Sequence, residues 1–377
     1  MSTGEPSPRW ELGRGFWPKL ALSLVITAGF VALLELGALK LKPSNEALSR
    51  IELSSLAIYF ALFTGMHLLR AARWSLLLAP VQRVPLGTVV RVALVGYLAI
   101  ALLPFRMGEA ARPLLIRRDA NVNAWAATGT VGAERLIDGL SISVLLLVAL
   151  RIARPMDRLP DHIGNLSVPV QVIPGLAVGT ASMFAAGCVA MGLFYLRPRW
   201  AERLTITLLG AVSMRFARWL ATRLSETASG LGFLTELRYS LPFLVLTIVY
   251  WLLNAGSWWI LAQGCGLGAI GYFHAVAVMS VVALGIVVPS TPGFYGAFQL
   301  AIYAGLAMYL PPAQVQETGA VYAFYGYVLP IGLTVLFGAI AALVPKAARK
   351  VGPEGDSPLA AGGCGAPGSL SSSSRSD

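Results

Sequence analysis

Three charged residues lie inside an apolar run that is long enough to span a membrane. Glu134, Arg135 and Asp138 stand in the middle of residues 124–150, and helical side chains three or four positions apart share a face. One charge at the bilayer centre costs about 2.5–3.5 kcal/mol on insertion scales, so three facing lipid would cost roughly 8–10 kcal/mol. The three residues must therefore be paired or face water. They indicate a cavity that grips an ionic group or, alternatively, a salt bridge that only locks helices together.

A second charged group interrupts apolar sequence nearer the N-terminus. Arg106, Glu109 and Arg112 follow Pro104, and Gly108 lies among them. Glu109 and Arg112 are spaced to pair on a helix, and broken backbone at membrane depth is tolerated only against protein or water. The interruption predicts a wet, positively charged cavity. The alternative is a cytoplasmic loop between two full spans.

Two further arginines, Arg70 and Arg73, are predicted to lie near the inner end of the span 53–79. A guanidinium fork suits a phosphate group, so both are candidate secondary contacts for a lipid headgroup. The alternative is that they snorkel to the interface beside Trp74, as arginines near the ends of membrane helices do.

A second broken stretch runs from residue 287 to residue 303. Its polar side chains include Thr291 and Gln299, which are candidate secondary headgroup contacts. A helix starting near Phe294 would offer free N–H groups, which favour an anion; close packing of small residues is the alternative. The residues expected to break regular helix here are Pro289, Pro292, Gly293 and Gly296.

The composition identifies the class of protein. Of the 377 residues, 56% are hydrophobic and only 12% are charged, against about 25% charged in soluble domains. The chain is therefore expected to be an integral membrane protein. Its net charge of +11 comes from basic residues that flank apolar segments, so topology explains it and nucleic-acid binding is not expected.

No cofactor or metal is expected. Cys188, Cys265 and Cys364 lack the spacing of a metal site or a disulfide framework. The sequence contains no P-loop and no His-Glu-x-x-His motif. An ATP-driven pump of the P-loop kind is excluded, and any transport would be downhill or ion-coupled.

The apolar segments predict an all-α, polytopic helical bundle with six full spans. Two other apolar segments, 87–115 and 273–309, are interrupted by proline and glycine. The predicted spans are residues 20–39, 53–79, 124–150, 172–196, 240–262 and 318–343.

Cytoplasmic loops are enriched in Lys and Arg. The distribution of basic residues agrees with this rule for a cytoplasmic N-terminus, provided that each interrupted segment enters and leaves the membrane on the same side. The two segments then become re-entrant helical hairpins inserted from opposite faces, which is an inverted repeat. Both termini would be cytoplasmic. Such paired broken segments point to a transporter site near the midplane.

The expected domains are a cytoplasmic N-terminal segment, residues 1–17, a transmembrane domain, residues 18–345, and a disordered cytoplasmic tail, residues 346–377. The tail is rich in Gly, Ser and Pro. Residues 197–238 are basic and contain Trp200, Phe216 and Trp219. They fit a helix at the cytoplasmic headgroup layer or an ordinary basic loop.

Several short motifs, taken in order, resemble the lysylphosphatidylglycerol synthase transmembrane-region family of flippase-like membrane proteins. The resemblance covers about residues 15–345, although Ile100 and Ala101 stand where the family often has asparagine, and Gln299 where it often has glutamate. The motifs are Arg73-Trp74, Gly96-Tyr97, Leu102-Leu103-Pro104-x-Arg106-x-Gly108-Glu109-x-x-Arg112, Glu134-Arg135-Leu136-x-Asp138 and Pro292-Gly293-x-x-Gly296.

The resemblance implies lipid translocation or lipid handling in the cell membrane, without the separate aminoacyl-transferase domain of fused members. The resulting hypothesis is a translocase, not an enzyme, that moves an anionic phospholipid or a polyprenyl-phosphate-linked lipid. Two alternatives stay open: a membrane glycosyl- or acyl-transferase, or a structural partner of a separate lipid-synthesising enzyme. The residues expected to hold the headgroup are Arg106, Glu109, Arg112, Glu134, Arg135 and Asp138.

Overall fold

Long apolar helices make up most of the described chain. The computed structural model describes residues 16–37, 39, 41–163, 165–167, 170–209, 213–287 and 291–344. The predicted tail 346–377 and all but two residues of the predicted N-terminal segment 1–17 lie outside the described residues. What is described of the chain belongs to one unit, Met1–Pro345.

Fourteen α-helices follow one another within the described residues, and short 3-10 helices interrupt them at Pro104–Ala110, Val170–Val172, Gly232–Thr235 and Pro292–Phe294. The α-helices are α1 (Phe16–Leu36), α2 (Asn45–Ser49), α3 (Leu53–Leu78), α4 (Leu86–Leu102), α5 (Ala111–Ala120), α6 (Ala124–Ile152), α7 (Ile173–Leu196), α8 (Pro198–Leu209), α9 (Met214–Ser229), α10 (Leu237–Gly264), α11 (Tyr272–Gly285), α12 (Ala297–Leu306), α13 (Pro312–Gln316) and α14 (Thr318–Leu343).

The helical membrane fold is confirmed. Four described helical segments are long and apolar enough to cross a membrane, and they contain α3, α7, α10 and α14. Helix α6 has 29 residues and is about 43 Å long at 1.5 Å per residue, with its charged residues near the middle. One departure from an all-α fold is a two-residue antiparallel pair, β1 (His162–Ile163) with β2 (Leu166–Ser167), between α6 and α7.

The first interrupted segment is a helix, a 3-10 turn and a second helix. Helix α4 ends at Leu102, the 3-10 helix Pro104–Ala110 packs back against it, and α5 follows. Gly108 lies so close to α4 that an added Cβ would be 2.2 Å from the carbonyl carbon of Ala99. A side chain at position 108 would therefore separate the turn from the helix.

The second interrupted segment has the same pattern. Helix α12 begins at Ala297 and packs against α11. The α-helix was expected to start near Phe294, and it starts three residues later because Gly293 (φ 62°), Phe294 (φ 58°) and Gly296 (φ 86°) have left-handed backbone. Positive φ is costly for a bulky residue such as phenylalanine. Pro289 lies outside the described residues.

Contacts between helices are reciprocal in the two halves of the chain. Helices α3 and α10 pack against each other over the most extensive contact in the fold. Helix α4 packs on α14, and its counterpart α11 packs on α6. The 3-10 helix Pro292–Phe294 contacts both α4 and the 3-10 helix Pro104–Ala110, so the two broken segments meet.

The basic region 197–238, for which an interfacial helix or a basic loop was expected, contains two amphipathic helices, α8 and α9. Helix α9 packs on α6 through Gly129, because an added Cβ there would lie 2.1 Å from the carbonyl oxygen of Thr227. Phe216 and Trp219 are exposed on α9, as expected of aromatic residues at a membrane interface.

Candidate functional site

Glu134, near the middle of α6, is shared by three arginines from three helices. Arg112 of α5 donates from Nη2 to Glu134 Oε2 at 2.7 Å. Arg135 lies 3.3 Å and Arg73 of α3 lies 3.6 Å from Glu134 Oε1. The side chains of Glu134, Arg73 and Arg112 are fully buried, so these charges depend on one another for compensation.

Asp138, one turn further along α6, is held by Arg73. Arg73 Nη2 donates to both carboxylate oxygens, at 2.7 and 2.6 Å, and Nη1 donates to Thr247 Oγ1 of α10 at 2.8 Å. Arg73 thus ties α3, α6 and α10 together. Breaking a buried pair by removing one partner costs about 3–5 kcal/mol, so each of these charges fixes the position of the next.

Aromatic rings and one glycine position Arg112. Its guanidinium lies 4.2 Å from the Trp74 ring centroid, and Trp74 Nε1 donates to Thr130 Oγ1 at 3.0 Å. Gly96 of α4 faces the aliphatic part of Arg112, because an added Cβ would be 2.3 Å from Arg112 Cγ. Glycine at position 96 therefore leaves the room that Arg112 needs to reach Glu134.

A cavity of about 470 Å³ adjoins this network, between elements of both halves of the chain. Its volume lies in the range of about 300–1,000 Å³ that is usual for ligand sites. Five residues that line it carry acidic or basic side chains: His67, Arg70, Glu109, Arg135 and Asp138. The cavity can therefore accommodate an ionic group.

The remaining wall is mainly apolar and aromatic. Phe63, Trp251, Trp258 and Phe298 line the cavity, and the Trp258 and Phe298 rings stack with centroids 6.0 Å apart. A predominantly apolar lining with a few convergent polar groups is the usual composition of a small-molecule site. The cavity is thus amphiphilic.

Arg70 differs from the other arginines of the site. No described side chain forms a hydrogen bond with it or lies within ion-pair distance of it, although the carboxylates of Glu134 and Asp138 act on it over a longer distance. Its guanidinium lies 4.4 Å from the ring centroid of Tyr97 and 6.0 Å from that of Tyr250. Cation–π contacts orient a guanidinium but leave its N–H donors available, so Arg70 retains capacity to bind an anion.

The structure brings together most of the predicted headgroup residues, but in two layers. Arg70, Glu109, Arg135 and Asp138 border the cavity. Arg73, Arg112 and Glu134 form the buried layer behind it. Arg112, whose spacing suggested pairing with Glu109, contacts Glu134 instead. The side chain of Arg106 lies outside the described part of the structure.

The alternative interpretation of Arg73 and Trp74 as interfacial, snorkelling residues is wrong. Both side chains are fully buried. Arg73 points to Asp138 rather than along the helix to water, because the carboxylates of α6 compensate its charge inside the protein.

Thr291 and Gln299, the predicted secondary contacts of the second broken segment, do not border the cavity. Gln299 Oε1 accepts a hydrogen bond from Gly296 N at 2.8 Å and so caps the start of α12. Thr291 is buried, and its Oγ1 has no hydrogen-bond partner within the described residues. Of the expected breaks, Pro292 begins a 3-10 helix.

Helix α10 contributes cavity or network residues that were not identified from the sequence. They include Thr247, Tyr250, Trp251, Asn254 and Trp258. A polar Asn254 within an apolar span was a usable signal, whereas Thr247 is ordinary in a membrane helix. Nowhere in the described residues do three or more His, Cys, Asp or Glu side chains group so as to hold a metal ion.

Comparison with known proteins gives one match. The sequence model of the family described as "Lysylphosphatidylglycerol synthase TM region" matches residues 20–344. No curated protein and no solved structure matches the chain.

Proposed function

The chain belongs to the lysylphosphatidylglycerol synthase TM region family, and we propose that it is a translocase for an anionic membrane lipid. The headgroup enters the cavity beside α6, and the acyl or polyprenyl tails remain in the bilayer. The lipid moves between leaflets without a change in its covalent structure.

The charge of the site favours an anionic headgroup. Arg70, Arg73, Arg112 and Arg135 contribute four positive charges to the cavity and the layer behind it. The three described carboxylates are those of Glu109, Glu134 and Asp138, which leaves a net charge of +1. Inside a membrane a ligand that neutralises this charge is favoured.

The observation that carries the proposal is the state of Arg70. It borders the cavity and has aromatic contacts, but no described carboxylate lies within ion-pair distance of it. The guanidinium fork matches the oxygens of a phosphate. Arg135, whose side chain is 27% exposed and only 3.3 Å from Glu134, is the second group placed to contact the ligand.

Arg73 and Arg112 act as positioning residues. They bind the carboxylates of Asp138 and Glu134, so that neither carboxylate forms an ion pair with Arg70, and Glu134 is shared between Arg112 and Arg135. The same arrangement weighs against the transferase alternative, because Glu134 or Asp138 would have to serve as the base. Both carboxylates are already engaged by arginines, Glu134 by three of them and Asp138 by Arg73, so their oxygens are not free to take a proton from a substrate.

The path proposed for the lipid follows the broken segments. Six spans cross the membrane, both termini lie in the cytoplasm, and the segments α4–α5 and α11–α12 are re-entrant hairpins from opposite faces. The reciprocal packing of α4 on α14 and α11 on α6 supports this inverted repeat. Midplane sites between such repeats are typical of transporters.

The cavity volume supports entry of the headgroup alone. A volume of about 470 Å³ lies within the range of about 300–1,000 Å³ of sites for small molecules. A headgroup is a ligand of this size, so the proposal leaves the two long tails in the bilayer. The charged headgroup can therefore cross inside the cavity while the tails of the same lipid cross in the bilayer.

The test is translocation by the purified full-length chain in liposomes that contain fluorescent phosphatidylglycerol. Dithionite added outside bleaches the outer-leaflet label, and the protein is expected to expose the inner-leaflet label as well. Arg70→Ala should slow this movement at least tenfold, since one charge-assisted hydrogen bond contributes about 1.5–3 kcal/mol.

The matched control is Arg83→Ala, since Arg83 is exposed and has no described partner. It should translocate at the wild-type rate. If Arg70→Ala keeps wild-type translocation while folding normally, Arg70 does not bind the headgroup and the proposed site is wrong.

A further inference from the structure

One face of α10 carries hydrogen-bonding groups that the proposed phosphate contact leaves unused. Trp251, Asn254 and Trp258 recur every three or four residues, and all three line the cavity. Helical residues with this spacing present their side chains on one side. The cavity therefore has an arginine wall from α3 and α6 and a wall of indole rings and an amide from α10.

Two side chains of the α10 wall have polar groups without a partner among the described residues. Trp251 is 7% exposed, and its Nε1 has no acceptor in the described part of the chain. Asn254 is partly exposed, and no hydrogen bond of its side-chain amide involves another described residue. Buried Trp N–H groups usually find a partner, and an unsatisfied one costs about 1–3 kcal/mol.

Two further polar atoms, on other helices that line the cavity, also lack a hydrogen-bond partner among the described residues. His67 Nε2 and Tyr97 Oη are buried without a hydrogen-bond partner among the described residues, and both residues line the cavity. His67 is held between rings, 5.3 Å from Phe63 and 5.2 Å from Tyr97 between centroids. Groups from α3, α4 and α10 thus share one cavity with unused hydrogen-bonding capacity.

The chemistry of these groups goes beyond that of a phosphate. The indole N–H only donates, whereas an amide and a phenol both donate and accept. A hydroxyl group satisfies both kinds of partner. A sugar or cyclic polyol also has an apolar C–H face that fits against flat indole rings, with hydroxyls at its rim, and this matches an aromatic wall with a few convergent polar groups.

We propose that the cavity selects a phosphate esterified to a sugar or another cyclic polyol, with the phosphate on Arg70 and Arg135 and the hydroxylated ring against Trp251, Asn254 and Trp258. This inference rests on the proposed lipid-translocating function and narrows its substrate class. The same headgroup chemistry occurs in a lipid and in a free sugar phosphate, and the experiment separates the two.

The experiment compares two lipids with the same dioleoyl tails. Phosphatidylinositol carries a hydroxylated ring on its phosphate, and phosphatidic acid carries the phosphate alone. Binding of each to the purified full-length protein is measured by native mass spectrometry. The wild type should prefer phosphatidylinositol by about tenfold, the effect of one or two additional hydrogen bonds.

Two variants locate the preference on α10. Trp251→Phe keeps an aromatic ring and removes the N–H, and Asn254→Ala removes the amide. Each should reduce the preference at least threefold while leaving the affinity for phosphatidic acid unchanged. Trp259→Phe is the control, because Trp259 packs against Tyr272 outside the cavity lining and should keep the full preference.

Soluble inositol 1-phosphate distinguishes the two sources of the headgroup. If it displaces phosphatidylinositol, the headgroup alone is the ligand. If it does not, the lipid form is required. Either result supports recognition of the hydroxylated ring, provided that the wild type prefers phosphatidylinositol to phosphatidic acid. Equal wild-type binding of the two lipids overturns the inference, as does a preference unchanged in both α10 variants. If Trp251→Phe fails to fold, Asn254→Ala and the wild-type comparison decide.

Failure of this inference differs from failure of the proposed function. If both lipids bind equally and Arg70→Ala weakens both, the anionic-lipid site stands and the ring selection is wrong. If neither anionic lipid binds the wild type, the proposed function itself is wrong.

Discussion

Replacing Gly96 with alanine tests how closely the buried charge network is packed. An added Cβ would lie 2.3 Å from Arg112 Cγ, whereas carbon atoms in contact lie about 3.5 Å apart. Arg112 must therefore retreat by about 1.2 Å. Transmitted in full along the bond, this displacement would lengthen the 2.7 Å bond from Arg112 Nη2 to Glu134 Oε2 to at most about 3.9 Å, and half of it already takes the bond beyond the limit of about 3.2 Å for a hydrogen bond.

The expected cost is that of breaking a buried ion pair, about 3–5 kcal/mol. Unfolding by SDS in mixed detergent micelles measures the loss of stability, and the liposome assay measures the accompanying loss of lipid translocation. Gly87→Ala is the matched control, since Gly87 lies on the same helix and an added Cβ there meets nothing within 4 Å.

A double-mutant cycle isolates the cause. In an Arg112→Ala background the clash is absent, so Gly96→Ala should add less than about 1 kcal/mol to the destabilisation that Arg112→Ala already produces. If Gly96→Ala is as stable as Gly87→Ala, or if its full cost persists without the Arg112 side chain, the reasoning about this contact is wrong.

Three other outcomes follow from the same contacts. Asp138→Asn should cost about 3–5 kcal/mol of unfolding free energy, because Arg73 loses the closer of its two carboxylate partners. Thr247→Val removes only a neutral hydrogen bond and should cost about 1 kcal/mol. Equal losses of stability in SDS unfolding would contradict this order. Arg50→Ala should leave the stability unchanged, since its pair with Glu46 is exposed, and a measurable loss would show that this surface pair matters. If transport is uncoupled, a membrane potential of 100 mV favours one leaflet for a singly charged lipid by about 2.3 kcal/mol. Fluorescent phosphatidylglycerol in liposomes with a potassium diffusion potential should therefore accumulate about 50-fold in the leaflet on the positive side. An even distribution between the leaflets would refute uncoupled movement of the anion.

The sequence predicted the helices well because the membrane sets their length. A helix that crosses the hydrocarbon needs about 20 apolar residues, and the predicted segment 318–343 coincides with α14. Helix α1 was expected at 20–39 and is observed at Phe16–Leu36. Its ends are less certain from sequence because α1 has no acidic residue in its first turn and no basic residue in its last turn.

The free-energy cost of placing a charge in the membrane predicted that the charged residues of α6 are paired, but it did not predict which residues pair with them. Insertion energies required Glu134 and Asp138 to be compensated. Local spacing offered Arg135 as a partner of Asp138, whereas Asp138 pairs with Arg73 of α3, and Glu134 pairs with Arg112 of α5 as well as with Arg135. Helical spacing describes only neighbours on the same helix, so contacts between helices need the tertiary packing.

The difference between Arg70 and Arg73 shows the same limit. Both were expected to make the same kind of secondary contact, yet Arg73 is fully buried against α6 and Arg70 borders the cavity. Their roles diverge because Thr247 and Asp138 lie beside one of them and Tyr97 beside the other. The left-handed backbone conformation of Phe294 could not be predicted from the sequence either, because phenylalanine does not favour that conformation.

The most direct test of lipid translocation is the fate of labelled phosphatidylglycerol placed in one leaflet of liposomes that contain the purified chain. The proposed function predicts that the label reaches the other leaflet and that mass spectrometry finds its mass unchanged. A product of altered mass would support the transferase alternative, and a label that stays in its original leaflet would contradict translocation by this chain.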